Sequence, residues 1–281
     1  VGAAGRRLAA ALAIGVAQAA AAEPPGCDFY DFRDAIAETG APRFESLVAA
    51  CWRAGRALPQ RDDGASLLFL AAHVGGAAAP RLTRRLLDLG VDPRGADRDG
   101  LTPARMAARF GCGECLKALL AVGADLHERD PDGASLLHEA GGDAVPVLIA
   151  AGLSPALRDA AGNVPLHRRS HPALRAVGVN VRNDAGLTPL HYAALDGSVA
   201  RIDELLALGA DPALRTTAAT RWRAGHMSRA FGPGEPIEAD RTPLDLARWR
   251  QRETRWVTSA HDAAVARLEA VTPRRSLLPW R

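Results

Sequence analysis

Apolar and small residues along this chain fall into a recurring block. Each block opens on a polar turn, continues as Thr-Pro-Leu-His and small residues, and closes with a Leu-rich stretch that ends in Gly. The clearest copy runs Ala185-Gly186-Leu187-Thr188-Pro189-Leu190-His191-Tyr192-Ala193-Ala194 and continues through Leu205-Leu206-Ala207-Leu208 to Gly209-Ala210-Asp211-Pro212. The pattern predicts two helices per block. Thr188 caps the first, and Pro189 suits its first position because the N–H it lacks would be unbonded there anyway. Ala193 and Ala194 let neighbouring first helices approach closely. Leu205, Leu206 and Leu208 give the second helix its apolar face. Gly209 ends that helix, since glycine enters the left-handed region at little cost. Other copies begin at Asp63-Gly64, Asp99-Gly100, Asp132-Gly133, Ala161-Gly162 and Asp240-Arg241. One such unit cannot bury its apolar faces alone, so the units are expected to stack.

The copies are unequal. Turn glycines at 64, 100, 133, 162 and 186 lie 36, 33, 29 and 24 residues apart. From the His position to the closing Gly, Arg105–Gly123 and His191–Gly209 take 18 residues, His138–Gly152 takes 14 and His167–Gly178 takes 11. The deficits amount to roughly one and two helical turns, so the units beginning at Asp132 and Ala161 are expected to have shortened helices. Gly75-Gly76-Ala77-Ala78-Ala79-Pro80 lengthens the loop between the helices of the first block. Residues 28–60 give two further helical stretches, Tyr30–Thr39 and Arg43–Ala57. The last unit, Arg241-Thr242-Pro243-Leu244-Asp245-Leu246-Ala247, is followed by a helix near His261–Val271. Before it, Thr216–Asp240 is rich in Gly and Pro and reads as an insertion, the kind of loop that repeat arrays extend from a binding face.

The block resembles the ankyrin repeat, and the resemblance covers nearly all of the mature chain. It implies an all-α solenoid of stacked helix-turn-helix units with finger loops, with about six repeats after an N-terminal helical cap at 23–60. It also implies a protein–protein interaction module that uses its finger tips and the exposed face of its first helices. Carried over position by position, that face comprises Leu101, Arg109, Phe110, Leu187, Leu195 and Asp196, with Arg98 and Pro131 at finger tips. His73 and Asn163 fall at matching places in weaker copies. His138, His167 and His191 occupy the repeat's own His position, where the imidazole is expected to tie adjacent loops together.

Composition changes this picture little. Apolar residues make up 48% and charged residues 24%, which suits a packed core, while the 5% of aromatics leaves that core to Ala, Leu and Val. Lys117 is the sole lysine, so the basic excess is arginine. Arg6 and Arg7, an apolar run from Leu8 to Ala17, and Ala20-Ala21-Ala22 before Glu23 read as a secretory signal at 1–22. The run is too short for a comfortable membrane span and Gln18 interrupts it, so no integral membrane segment is expected in the mature chain. Loss of the leader, which has no Asp or Glu, lowers the net charge from +3 to +1. A near-neutral chain has no global field to hold nucleic acid. The expectation is a periplasmic or secreted monomer with a protein partner; residues 272–281 form a tail.

Four cysteines in an exported chain favour disulfides, and of three possible connectivities Cys27–Cys51 with Cys112–Cys115 is expected. Cys112-Gly113-Glu114-Cys115 is also a candidate redox pair, because a helix start lowers a thiol pKa, but no thioredoxin-like strand–helix pattern surrounds it. Haem attachment needs a His where Leu116 stands, and a structural zinc site needs a second ligand pair. His167 and His171 have metal-like spacing, but Pro172 disfavours helix at His171. The motifs of serine hydrolases, zinc proteases and phosphate-binding loops are missing, so neither an enzyme nor a cofactor is expected. Arg221-Trp222-Arg223 and Arg248-Trp249-Arg250-Gln251-Arg252-Glu253-Thr254-Arg255-Trp256 interleave Arg with Trp, either to meet an acidic protein surface, a polyanion or a lipid headgroup, or to cover the end of the stack. Three classes stand: an exported scaffold or adaptor, an inhibitor or immunity-type protein that blocks an exported enzyme, and an enzyme or redox protein using Cys112 and Cys115.

Overall fold

Each block folds as two short antiparallel helices, and each pair packs on the next. The computed structural model describes residues 27–39, 41–53, 66–74, 78–222, 235–253 and 259–273. The expected leader at 1–22, the turn Asp63-Gly64, residues 75–77, Trp256 and most of the tail lie outside them. The N-terminal pair is α1 (Phe29–Thr39) and α2 (Ala41–Arg53). Phe32 and Phe44 meet edge to face at 5.3 Å in its interior, and a disulfide joins Cys27 to Cys51.

The following pairs are α3 (Leu67–Val74) with α4 (Ala79–Asp88), α5 (Pro103–Arg109) with α6 (Gly113–Ala121), and α7 (Leu136–Glu139) with α8 (Ala144–Ala150). Two 3-10 segments, Pro165–His167 and Pro172–Val177, take the place of the next pair. After them come α9 (Pro189–Leu195) with α10 (Val199–Ala207), and α11 (Pro243–Glu253) with α12 (Ser259–Glu269). First helices stack on first helices to form an inner layer, and second helices form an outer one. The alanine pairs Ala71-Ala72, Ala107-Ala108 and Ala193-Ala194 are fully buried in the inner seam. Leu82, Leu86, Leu116, Leu119, Leu148 and Leu205 fill the space between the layers.

Local chemistry explains the short units. In α7 the helix stops at Glu139, and Gly141-Gly142 follow where a regular copy would continue. In the next unit, Arg169 stands where Ala107, Ala140 and Ala193 stand in its neighbours. A guanidinium does not fit that seam, and Pro172 keeps His171 extended, at φ −154°. The chain therefore leaves the inner layer after His167. Arg201, from α10, reaches back to the carbonyls this frees, His167 at 3.0 Å and Leu166 at 3.5 Å.

The fingers are built alike. Asp97 Oδ1 accepts from the N–H groups of Asp99 and Leu101 at 3.0 and 2.9 Å. Asp130, Asp159 and Asn183 repeat this arrangement in later fingers. Arginines tie finger to finger: Arg129 donates to Gly133 and to the Arg158 carbonyl, Arg158 to Gly162 and Arg182, and Arg182 to Arg215. Much of the arginine excess thus has a structural use.

Thr216 and Asp240 correct the reading of the insertion. In the regular fingers the Asp or Asn backbone N–H donates to the residue four places on, and the turn Gly N–H donates back. Thr216 donates in this way to Arg241, and Asp240 to Thr216. Residues 217–222 and 235–239 therefore belong to the tip of the last finger, not to a loop ahead of its unit. Asp240, rather than Arg241, holds the glycine position, with φ 60°, which Asp tolerates better than most residues. Within this tip β1 (Thr220–Trp222) pairs antiparallel with β2 (Glu235–Ile237).

Candidate recognition surface

The inner layer is held by one hydrogen bond that recurs from unit to unit. His138 Nδ1 accepts from the Ser135 N–H, and its Nε2–H donates to the Asn163 carbonyl at 2.9 Å. His167 does the same between Val164 and Leu187, and His191 between Thr188 and Arg241. A backbone N–H on one nitrogen and a carbonyl on the other fix the neutral Nε2–H tautomer. Burial pushes the pKa of His167 and His191 down to about 4 and that of His138 in the same direction. Each ring thus has both nitrogens engaged, and His171 Nδ1 accepts from the Ala173 N–H at 3.2 Å. His167 and His171 do not form a metal pair.

Arg105 stands at the same position in the second unit and performs the same link in another way. Its Nη1 lies 3.4 Å from the Ala134 carbonyl, which corresponds to the carbonyls of Asn163, Leu187 and Arg241. The guanidinium is buried and also binds Glu128 at 3.0 Å and Glu139 at 2.9 Å. Thr102 donates to Glu128 at 2.7 Å. Burial raises the Glu128 pKa against the pull of Thr102 and Arg105. In the last unit Asp245 takes the position and only caps Thr242.

Around this frame the face divides in two. Over the early units it is open. Phe110 is 44% exposed, and its ring meets His73 edge to face at 4.6 Å. Its chain neighbour Arg109 is half-buried, as is Leu101 in the finger, and finger-tip residues Arg98 and Pro131 are exposed. Over the late units the face is covered. Leu187 (2% exposed) and Leu195 (0%) pack with Ala185, Ile237 and Leu246, and Tyr192 and Trp249 close the cluster. The enlarged finger supplies Ile237, and the N–H of Thr217 donates to the Ala185 carbonyl at 2.8 Å. Leu187 and Leu195 are therefore removed from the expected contact face. Asn163 is removed as well: it is buried, and its Oδ1 accepts from Tyr192 at 2.8 Å and Asn183 at 2.9 Å. Burial raises the Tyr192 pKa to about 12, so this hydroxyl stays a donor. Asp196 is exposed but pairs with Arg201 at 3.2 Å.

The second cysteine pair sits at the start of α6, where Cys112 Sγ accepts from the Cys115 N–H at 3.3 Å, and the two are joined as a disulfide. Cys115 is buried. Among the described residues, no group of three His, Cys, Asp or Glu could hold a metal ion, and no helix is long and apolar enough to cross a membrane. Nothing in the repeat pattern singles out Glu139 or Arg169 as a site residue. The signal was there only as misfits, a charge where the clearest copy has Tyr192 and another where it has Ala193.

Comparison with known proteins follows the same division into units. The family model described as "Ankyrin repeat" matches residues 99–131 and 185–217. The chain is 30% identical to human B-cell lymphoma 3 protein over 155 residues, 48% of this chain and 34% of that protein. It is 30% identical to human SH3 and multiple ankyrin repeat domains protein 2 over 158 residues, 50% of this chain and 8% of that protein. It thus spans about a third or less of these relatives' length. A fission-yeast ankyrin repeat-containing protein, P1E11.10 of Schizosaccharomyces pombe, is 43% identical over 47 residues, 17% of this chain and 23% of that one. The crystal structure of the ankyrin repeat domain of Bcl-3 superposes with a TM-score of 0.46 at 24% identity, covering 84% of this chain and 97% of that one.

Proposed function

Because residues 99–131 and 185–217 of this chain are ankyrin repeats, we propose that it is an exported scaffold or adaptor that binds a partner protein across the open inner face of its early units. One observation carries this reading: the exposed Phe110 ring, set edge-on against His73 and flanked by Arg109. Aromatic and Arg side chains dominate binding hot spots, and a ring already held by a neighbour loses little freedom on binding. The late units, with their face covered by the enlarged finger, are assigned the role of support. The leader sequence at 1–22 and the pairing of the four cysteines support export.

The test is site-specific photocrosslinking of the full chain in an envelope extract, with the reactive group at position 110 or, as control, at the exposed Val122 of the outer layer. The expected result is one protein adduct from position 110 that is missing from 122, and its loss on Arg109→Glu. Equal adducts from both positions, or none from 110, overturn the surface. An enzyme captured with unchanged activity fits a scaffold, and one captured inactive makes the chain an inhibitor. Thiol titration of the unreduced protein checks export: no reactive thiol is expected, and four would overturn it.

A further inference from the structure

The inner layer has a step. In this layer α5 and α9 have seven residues each, α7 has four, and the unit between α7 and α9 contributes its three-residue 3-10 turn Pro165–His167. Three residues fewer shorten a helix by about 4.5 Å. Arg169 lies in this step, at the place where the adjoining units bury an alanine. It is half-buried, and among the described residues no hydrogen bond or ion pair reaches its guanidinium.

The charges around it are largely spent. Glu139 is the acidic neighbour, but Arg105 binds it at 2.9 Å, and Arg109 Nε lies 3.8 Å from it. Arg168 pairs with Asp159 at 2.8 Å. Arg201 pairs with Asp196 and bonds the His167 carbonyl, as described above. Burial pushes the Arg169 pKa down, and Arg109, Arg201 and Arg168 push it the same way against Glu139. An arginine does not give up its proton in a protein. A cation with no direct bond to a carboxylate, held among three others, is stabilised further by an anion from outside.

We propose that this step is an anion site, and that it takes an Asp or Glu carboxylate from an acidic segment of the partner protein. The guanidinium fork of Arg169 matches a carboxylate with two parallel hydrogen bonds, and Arg109, at the end of α5, supplies a second positive charge next to Phe110. The inference rests on the interaction reading and adds the chemistry of the partner: acidic residues on the segment that crosses from Phe110 to the shortened units.

The probe is a capped tetraglutamate peptide carrying a fluorophore, with tetraglutamine of the same length as the neutral control, followed by anisotropy at low ionic strength on the full chain. Tetraglutamate is expected to bind and tetraglutamine not. Arg169→Gln is expected to weaken binding about tenfold, as for the loss of one charge-assisted pair. Arg85→Gln, which removes the same charge from the exposed side of α4, is expected to change it less than twofold. Arg109→Gln, a second variant in case Arg169→Gln perturbs folding, is expected to weaken it several-fold. Equal losses from Arg169→Gln and Arg85→Gln would reduce the effect to net charge and overturn the site. So would wild-type protein that ignores tetraglutamate. A partner that crosslinks at position 110 and binds Arg169→Gln with unchanged affinity would remove the anion site and leave the interaction reading standing.

Discussion

His191 donates its Nε2–H to the carbonyl of Arg241 at 3.1 Å, across 50 residues of chain and the whole of the enlarged finger. The bond needs a neutral ring, because the other nitrogen already accepts a backbone N–H. Protonation would place two donors face to face.

Stability should therefore fall in acid. The folded pKa of His167 and His191 is about 4, against about 6.5 for an unfolded histidine. The unfolded chain binds the extra protons between these values, so stability is complete above pH 6.5 and declines as pH drops toward 4. Each ring contributes about 3 kcal/mol of this loss. Denaturant midpoints measured from pH 7.5 to 4 check it. His191→Gln should be less stable at pH 7 and should show a shallower slope, by one proton. A flat profile would remove the linkage.

Arg105→His restores the residue that the repeat pattern prefers, yet it should destabilise the chain. It leaves Glu128 and Glu139 buried without their guanidinium, a loss of about 3–5 kcal/mol. Replacing Glu128 and Glu139 by Gln in the same chain should recover much of it, because the penalty lies in the carboxylates that have lost the Arg105 guanidinium. Chemical denaturation of the set tests the coupling; simple additivity would show that the three groups act independently.

Gly186→Ala and Gly209→Ala separate backbone strain from contact. Both glycines have positive φ, 78° and 86°. A Cβ at 209 meets open space, whereas one at 186 would lie 2.7 Å from the Thr217 backbone nitrogen. Gly209→Ala is expected to cost about 1 kcal/mol. Gly186→Ala should cost clearly more and should loosen the enlarged finger, read as faster amide exchange at Thr217. Equal costs would place the finger away from Gly186.

Ile237→Ala should uncover the late inner face. Ile237 is 2% exposed and packs on Leu187 and Leu195. Its truncation should lower stability by about 2–4 kcal/mol and raise binding of an apolar dye. The same change should leave crosslinking at position 110 unaltered.

The repeat was legible in the sequence because its signals are local. Thr188 and His191 lie three residues apart, the finger Asp or Asn bonds N–H groups two and four residues on, and Gly209 closes its own helix. Such contacts hold whatever the unit packs against. The shortened units were legible too, from spacing alone. Only the tertiary structure decided which part of the face is open. Leu187 and Leu195 occupy contact positions of the repeat, and the strand that buries them comes from a finger whose Ile237 lies tens of residues on. It also decided that Arg105 binds two carboxylates directly and that Arg169, with Glu139 nearby, binds none among the described residues. Stacking sets these pairings by bringing side chains 20 to 60 residues apart to one place, and nothing within a few residues of Arg169 encodes what stands across from it.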